Sequence, residues 1–390
     1  MRNHFLIYFL VKDRGNLIVK EIKGTFANAK IFTDNVEEYA LAQIQMICDQ
    51  EASKGSTIRI MPDVHPGKVG PIGLTMTVED AIMPNIVGID GGCGMTIAKI
   101  KGKKLEYQKL DTVIREQIPS GFQVRRKPHR FSTEFPFEEL KCYKNIHIEK
   151  AIHSIGTLGS GNHFIEADCD HEKNLYIVIH SGSRSLGKMV AEHYLKQGQI
   201  RLKELGIEIP YELTYLTGEL MENYLHDLQI VQQYASVNRL AMLDELKKGM
   251  KLKIEEEFSS IHNYIELSEY GRILRKGAIS AKKDERVIIP INMRDGIILG
   301  TGKGNAEWNY SAPHGAGRVL KRTEVVNHYT LSDFKKEMKG IYSSCIRKDT
   351  LDEAPFVYRR LEDICDLILD TVEIDKILRP VYNYKAGGEE

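Results

Sequence analysis

One pattern recurs along the chain: a short apolar run, rich in β-branched residues, breaks into a turn of glycine, proline or aspartate. STIRIMPDVHPG, PIGLTMTVED, NIVGIDGGCGMTIAKI and LYIVIH followed by SGSRSLG all read this way. Such runs predict strands, and their turns hold polar side chains and backbone N–H groups at strand ends, where a rigid scaffold presents them. HFLIYFL and NLIVKEI, parted by DRGN, predict two more strands. Helices are fewer. Asp34 and Asn35 can cap a helix in which Val36, Tyr39, Ala40, Ile44 and Ile47 recur at helical spacing, ending near Gly55. The longest helical stretch runs from about Leu220 to Lys248, with Leu225, Leu228, Val231, Tyr234 and Leu240 on its buried side. A last helix spans about Leu361 to Val372, before the tail LRPVYNYKAGGEE. With no repeat, low-complexity tract or linker, residues 1–390 are expected to form one α+β domain.

Composition removes several classes of partner. Lys+Arg and Asp+Glu number 54 each, so no global field marks a nucleic-acid binder, and an anionic ligand must be held by local clusters. No apolar run is long enough to cross a bilayer. The opening MRNHFLIYFLVKDRGN is interrupted by Lys12 and Asp13 without a small-residue cleavage site, so no signal peptide is expected. Six cysteines without a CxxC pair read as reduced thiols in a cytoplasmic protein.

The chemistry concentrates at the turns. Gly88 to Gly94 places four glycines around Asp90 and Cys93. Glycine permits positive φ and close backbone approach, so the carboxylate and thiol can converge, a pair suited to a divalent metal of intermediate softness. A tight turn around a buried structural cysteine is the plainer alternative. Gly159-Ser160-Gly161-Asn162-His163 offers a ligand or a hydrogen-bonded core histidine. His180 ends a strand and opens SGSRSLG, whose N–H groups and Arg184 suit an anion. Gly182 to Lys188 also fits GxxxxGK, but Met189 stands where a P-loop needs Ser or Thr, which excludes that site. His262-Asn263, Arg275-Lys276-Gly277, His314 with Arg318, and Asp63 with His65 complete the set. Of thirteen histidines, these five alone sit at turns beside carboxylates, amides or arginines. Ligands scattered over strand ends are how a metal centre is assembled without a local finger motif.

In order, MPDVHPG, GIDGGCG, GNHFIE, HSGSRSLG, HN, RKGAIS, HGAGR and the final YKA resemble the motifs of the RtcB family of RNA-splicing ligases over nearly the whole chain. The resemblance implies an unusual α+β domain with β-sheets around a central cleft for two metal ions. It implies use of GTP and two Mn²⁺ ions, a histidine–GMP intermediate, and joining of RNA 3′-phosphate or 2′,3′-cyclic phosphate ends to 5′-hydroxyl ends. Matched motif by motif, Asp90, Cys93, His163, His180 and His262 resemble the metal ligands, with the thiolate shared. His314 resembles the guanylylated histidine and Asp63 the carboxylate that orients it. Asn162, Glu166, Asn263, Tyr358 and Lys385 resemble guanylate contacts, and Arg184, Lys276, Arg318 and Arg322 holders of phosphate or RNA. By ligand chemistry alone, Zn²⁺, Fe²⁺ or Co²⁺ would serve as well as Mn²⁺.

The chain departs from the family pattern in three places. Pro290 to Gly296 reads PINMRDG where the family frames the guanylate with a PGSMGT-like stretch, Ile89 replaces a phenylalanine, and Gly91-Gly92 replaces Ile-Asn. These departures resemble a divergent bacterial branch, some of whose members accompany a release-factor homologue in RNA repair. Arg125, Arg126, Lys127, His129 and Arg130 form a basic cluster that is either an RNA contact or a solvated face. Two other functions fit the same residues: a two-metal RNA phosphodiesterase or cyclic phosphatase without a covalent nucleotide, and a metal-stabilised RNA-binding protein without turnover. His314 separates the first reading from these, because a plain hydrolase needs no histidine outside the metal shell.

Overall fold

In the computed structural model, residues 20–386 are described. HFLIYFL and DRGN lie outside them, and of NLIVKEI only the end appears, in the strand Lys20–Lys23. The fold is mixed α+β, built on two large sheets. One has six strands, in the order Lys20–Lys23, Asn28–Ile31, Thr57–His65, Ile72–Thr77, Gly271–Lys276 and Asn263–Ser268. The other has seven, in the order Ile254–Ile261, Gly94–Ile100, Leu175–Ser181, Phe164–Cys169, Val372–Lys385, Gly296–Gly302 and Arg286–Asn292. All pairings in both are antiparallel except that of Asn28–Ile31 with Thr57–His65.

A single residue joins the two sheets. Ile254–Ile261 ends at the edge of one, Asn263–Ser268 begins at the edge of the other, and His262 lies between. Three histidines and a cysteine from distant stretches meet near this crossing because both sheets place strand ends there.

The helix Gly218–Met250 braces the junction. Its first half packs Leu225, Leu228, Val231 and Tyr234 into a core shared with Ile58, Ile60 and Leu74 of the six-stranded sheet. Its second half packs Met242, Leu243 and Leu246 against Ala98, Ile165 and Ile177 of the seven-stranded sheet. Burying each such Leu or Ile side chain contributes about 1.5–3 kcal/mol, so the helix ties the sheets together strongly. Between these stretches, Asn238 and Arg239 face the loops of the site, as described below.

Some expected elements differ. Neither Asp34 nor Asn35 caps the first helix: it spans Glu38–Cys48 with Glu37 at the N-cap and no side-chain cap bond. Ala40, Ile44 and Ile47 are buried, whereas Tyr39 is exposed at the mouth of a cavity. Leu240 is only half-buried. The last helix stops at Leu367, and Val372 opens a strand that continues to Lys385. The β-branched and aromatic residues of that tail fill the middle of the seven-stranded sheet, a tertiary demand that helical spacing does not reveal.

Candidate active site

Two backbone devices form the glycine-rich turn. Gly88 and Gly92 adopt φ of 89° and 75°, and a Cβ at Gly92 would come within 2.7 Å of the Gln232 backbone on the long helix. The turn is pinned where His262 N donates to Cys93 O at 2.8 Å and Gly92 N to Asn263 O at 2.6 Å. Behind it lies Arg239, fully buried, donating to Gly92 O and Ser181 O at 2.9 Å each. Asn238 Nδ2 donates to Gly182 O and Ser181 Oγ, while its Oδ1 accepts from Gly156 N and Thr157 N. One dipeptide of the long helix therefore clamps the loops that carry Cys93, His163 and His180.

Asp90, Cys93 and His163 form one group of ligand atoms within 4.8 Å of one another, and Cys93, His180 and His262 form another. Cys93 belongs to both. Its Sγ lies 3.5 Å from His163 Nε2 and 3.4 Å from His180 Nε2, and His180 Nε2 lies 3.3 Å from His262 Nε2. His163 Nε2 is also 3.2 Å from Asp90 Oδ2.

The tautomers follow from what the other nitrogens touch. His163 Nδ1 faces Leu158 O at 2.8 Å and His180 Nδ1 faces Asn162 O at 3.1 Å. Carbonyl oxygens only accept, so both Nδ1 atoms carry protons and both Nε2 lone pairs face the thiol. Lone pairs, carboxylate oxygens and sulfur crowded at these distances repel unless a cation or proton lies among them. The donor set of N, O and S atoms suits a divalent ion in each group. Burial pushes His180 and His262 well below the usual imidazole range, which keeps them in the neutral, ligating form. Burial, with Asp90 adding to it, pushes the Cys93 thiol well up, a preference that a bound cation reverses. Burial also opposes the charge of Asp90, but contacts with His163, Cys93 and Ser183 N outweigh it and hold the carboxyl down to about 2.

The anion cradle expected at SGSRSLG is the start of a helix, Arg184–Glu204, and Asp90 occupies it: Ser183 N donates to Asp90 Oδ1 at 3.0 Å. Arg184 itself turns to Thr157 Oγ1 and Gly121 O.

His314 stands next to the second group. Its ring centroid is 5.0 Å from that of His262, edge-on, and its Nδ1 is 2.7 Å from Oδ2 of the fully buried Asp63. The carboxylate fixes the proton on Nδ1 and leaves Nε2 as a free lone pair.

A cavity of about 550 Å³ opens in front of this imidazole. His180, His262 and His314 line it, with Asn162, Glu166, Arg318, Arg322, Tyr358 and Lys385. Strand register brings the C-terminal residues here: Asn383 pairs with Glu166 and Lys385 with Phe164. Burial pushes the Glu166 carboxyl up, against hydrogen bonds from the neighbouring Asp168 carboxyl and from Asn383. The divergent segment contributes Pro290, Ile291, Asn292 and Met293 to the wall. Outside the lining lie Asn263, whose Oδ1 accepts from Gly277 N at 2.9 Å, and Lys276, whose ammonium rests near Gly88 and is pushed down to about 8 by burial.

Glu353 carries no motif signal in the sequence, yet it organises this cavity. Its side chain is 3% exposed, and Lys385 Nζ, Tyr358 Oη and Arg322 Nη1 lie 2.6, 2.6 and 2.5 Å from its oxygens, with Arg318 Nη1 at 3.4 Å. Burial opposes its ionisation, but Lys385, Arg322 and Arg318 outweigh burial and hold the carboxyl down to about 2.

The model of the family described as tRNA-splicing ligase RtcB matches residues 52–144 and 131–386. This chain belongs to the RtcB family. The RNA-splicing ligase RtcB of Escherichia coli K12 is 30% identical over 369 residues, which cover 84% of this chain and 90% of that protein. The tRNA-splicing ligase RtcB of Pyrobaculum aerophilum is 24% identical over 82% of this chain and 85% of its own length. That of Methanococcus maripaludis is 23% identical over 90% and 92%. The clustered Asp90, Cys93, His163, His180 and His262 resemble the metal-binding region of RtcB proteins.

The basic cluster divides in two. Arg125, His129 and Arg130 face Glu245 and Asp244, which Lys248 also contacts. His129, Asp244 and Glu245 form a third close group, but Arg125, Arg130 and Lys248 already balance its carboxylates, and His129 Nδ1 accepts from Phe131 N. Arg126 and Lys127 are exposed and in no ion pair among the described residues. No helix among the described residues is long and apolar enough to cross a membrane.

Proposed function

We propose that this RtcB-family chain is one catalytic domain, a GTP- and Mn²⁺-dependent RNA ligase that joins 3′-phosphate or 2′,3′-cyclic phosphate ends to 5′-hydroxyl ends in RNA repair or splicing. A cytoplasmic location and an activating or release-factor-like protein partner belong to the same reading. The observation that carries it is His314: held by Asp63, it stands outside both ligand groups and beside one of them. A phosphodiesterase using the same ligands has no work for that imidazole.

Asp90 and His163 would hold one ion and His180 and His262 the other, with the Cys93 thiolate between. When bound, the ions supply neutralisation of phosphate oxygens and activation of the water that opens a cyclic phosphate end. The neutral Nε2 of His314 attacks the α-phosphorus of GTP; the new N–P bond forms as pyrophosphate leaves. Asp63 stabilises the charge that develops on the ring. Arg318 and Arg322 hold phosphate oxygens at the cavity wall, while Glu166, Tyr358 and Lys385 contact the guanine and Asn162 the nucleotide phosphate. GMP then passes to an oxygen of the RNA 3′-phosphate, freeing His314. Finally the 5′-hydroxyl attacks that phosphorus, loses its proton, and expels GMP. Asn263 belongs with the guanylate contacts although it lies outside the cavity lining, and Arg184 and Lys276, also outside it, act on phosphate or the RNA backbone.

The test is the choice of ends. With GTP and Mn²⁺, RNA bearing a 3′-phosphate is joined to a 5′-hydroxyl strand and GMP is released. Joining of 3′-hydroxyl ends, or hydrolysis of the phosphate without joining, overturns the reading.

A further inference from the structure

We propose that His65 binds substrate directly, its Nε2 accepting a hydrogen bond from a substrate hydroxyl beside the reacting phosphate. This inference rests on the ligase reading above. His65 closes the strand Thr57–His65 and lines the same cavity as His314. Its Nδ1 is 2.9 Å from the carbonyl oxygen of Asp63, which can only accept, so the ring proton sits on Nδ1. Burial pushes the imidazole down to about 4, more than its bond to Asp63 raises it, and the nearby His314 and Arg318 act with burial. The ring is therefore neutral at pH 7 and Nε2 is a bare lone pair. No protein group among the described residues donates to it.

Asp63 thus orients two imidazoles from one position: its carboxylate fixes His314 and its carbonyl fixes His65. The two rings perform different tasks. His314 is a nucleophile, whereas so weak a base as His65 orients a hydroxyl without taking its proton. The cationic side chains of the cavity, Arg318, Lys321, Arg322 and Lys385, are donors only and suit oxygen acceptors on the ligand. A lone pair among them calls for a donor on the ligand. Close to His314 and the α-phosphate, the donors are hydroxyls: those of the nucleotide ribose or the attacking RNA 5′-hydroxyl.

The full chain is tested with His65→Phe, which keeps a ring but removes the acceptor, and with His65→Asn, which retains an oxygen acceptor. Thermal unfolding checks that both variants fold. The first arm measures KM for formation of the labelled protein with GTP, 2′-deoxy-GTP and 3′-deoxy-GTP, a step without RNA. The second measures single-turnover joining by pre-guanylylated enzyme. One neutral hydrogen bond corresponds to about 2- to 12-fold. If the partner is a ribose hydroxyl, wild type discriminates against one deoxy analogue by that factor and His65→Phe loses the discrimination. If it is the RNA hydroxyl, labelling is unchanged and joining slows by that factor, with partial recovery in His65→Asn. Wild-type behaviour of His65→Phe in both arms overturns the proposal, as does equal slowing of both arms with discrimination intact, which marks a purely structural role. Failure of the wild type to label at all instead overturns the ligase reading.

Discussion

Replacing Glu353 with glutamine keeps the shape of the side chain and removes the charge that balances Lys385, Arg318 and Arg322. Lys385 and Arg318 are 6% and 13% exposed, so water replaces little of what they lose. Arg322 is 48% exposed and keeps Asp352, so its share is screened. The lowering of the Glu353 carboxyl from 4.5 to about 2 corresponds to about 3 kcal/mol. This agrees with the ~3–5 kcal/mol cost of breaking a buried ion pair. Because the folded value is depressed, the contribution is full above pH 4.5 and disappears as pH falls through about 2. Urea unfolding of wild type and Glu353→Gln should therefore differ by about 3 kcal/mol at pH 7 and progressively less below pH 4.5. In the folded variant, KM for GTP should rise more than kcat for protein labelling falls, because the cavity's cations and Tyr358 lose their common anchor. A difference below about 1 kcal/mol that does not change with pH would refute the hub.

Cys93→Ala should stay folded yet bind neither divalent ion tightly, since both ligand groups share that thiol; calorimetric metal titration showing one full-affinity site would contradict the sharing. Arg239→Met leaves Gly92 O and Ser181 O without their donor and should cost roughly 1–3 kcal/mol for each buried acceptor, read by denaturant unfolding, with weaker metal affinity alongside. For RNA binding, the double variant Arg126→Ala/Lys127→Ala should flatten the slope of log K against log salt by about 1.4, at about 0.7 per phosphate contact on a single strand. Arg125→Ala/Arg130→Ala should leave that slope unchanged, because those side chains already serve Glu245 and Asp244.

The sequence made the site more legible than the scaffold. Asp90, Cys93, His163 and His314 sit in glycine-rich turns whose local composition betrays them, His180 closes a strand just before such a turn, and His262 is marked only by the family resemblance; the fold brings all six together. Glu353 has no local signature because its role depends on four partners, the nearest by sequence being Tyr358 and the farthest Arg318. The start of the helix Arg184–Glu204 reads as an anion-binding turn in sequence, and the anion it holds is the protein's own Asp90. Asn238 and Arg239 read as ordinary polar positions of a long helix; only the tertiary approach of Gly92 and Ser181 gives them work. The strand Val372–Lys385 is not legible in local spacing because packing between two neighbouring strands decides it.

The central claim, that His314 is an imidazole held ready for nucleotidylation beside a pair of metal sites, is tested most directly by incubating the protein with Mn²⁺ and GTP labelled at the α-phosphate, then resolving it on a denaturing gel. The account predicts an acid-labile, alkali-stable label on the wild type, none on His314→Ala, and a much weaker one on Asp63→Asn. Undiminished labelling of His314→Ala would contradict it.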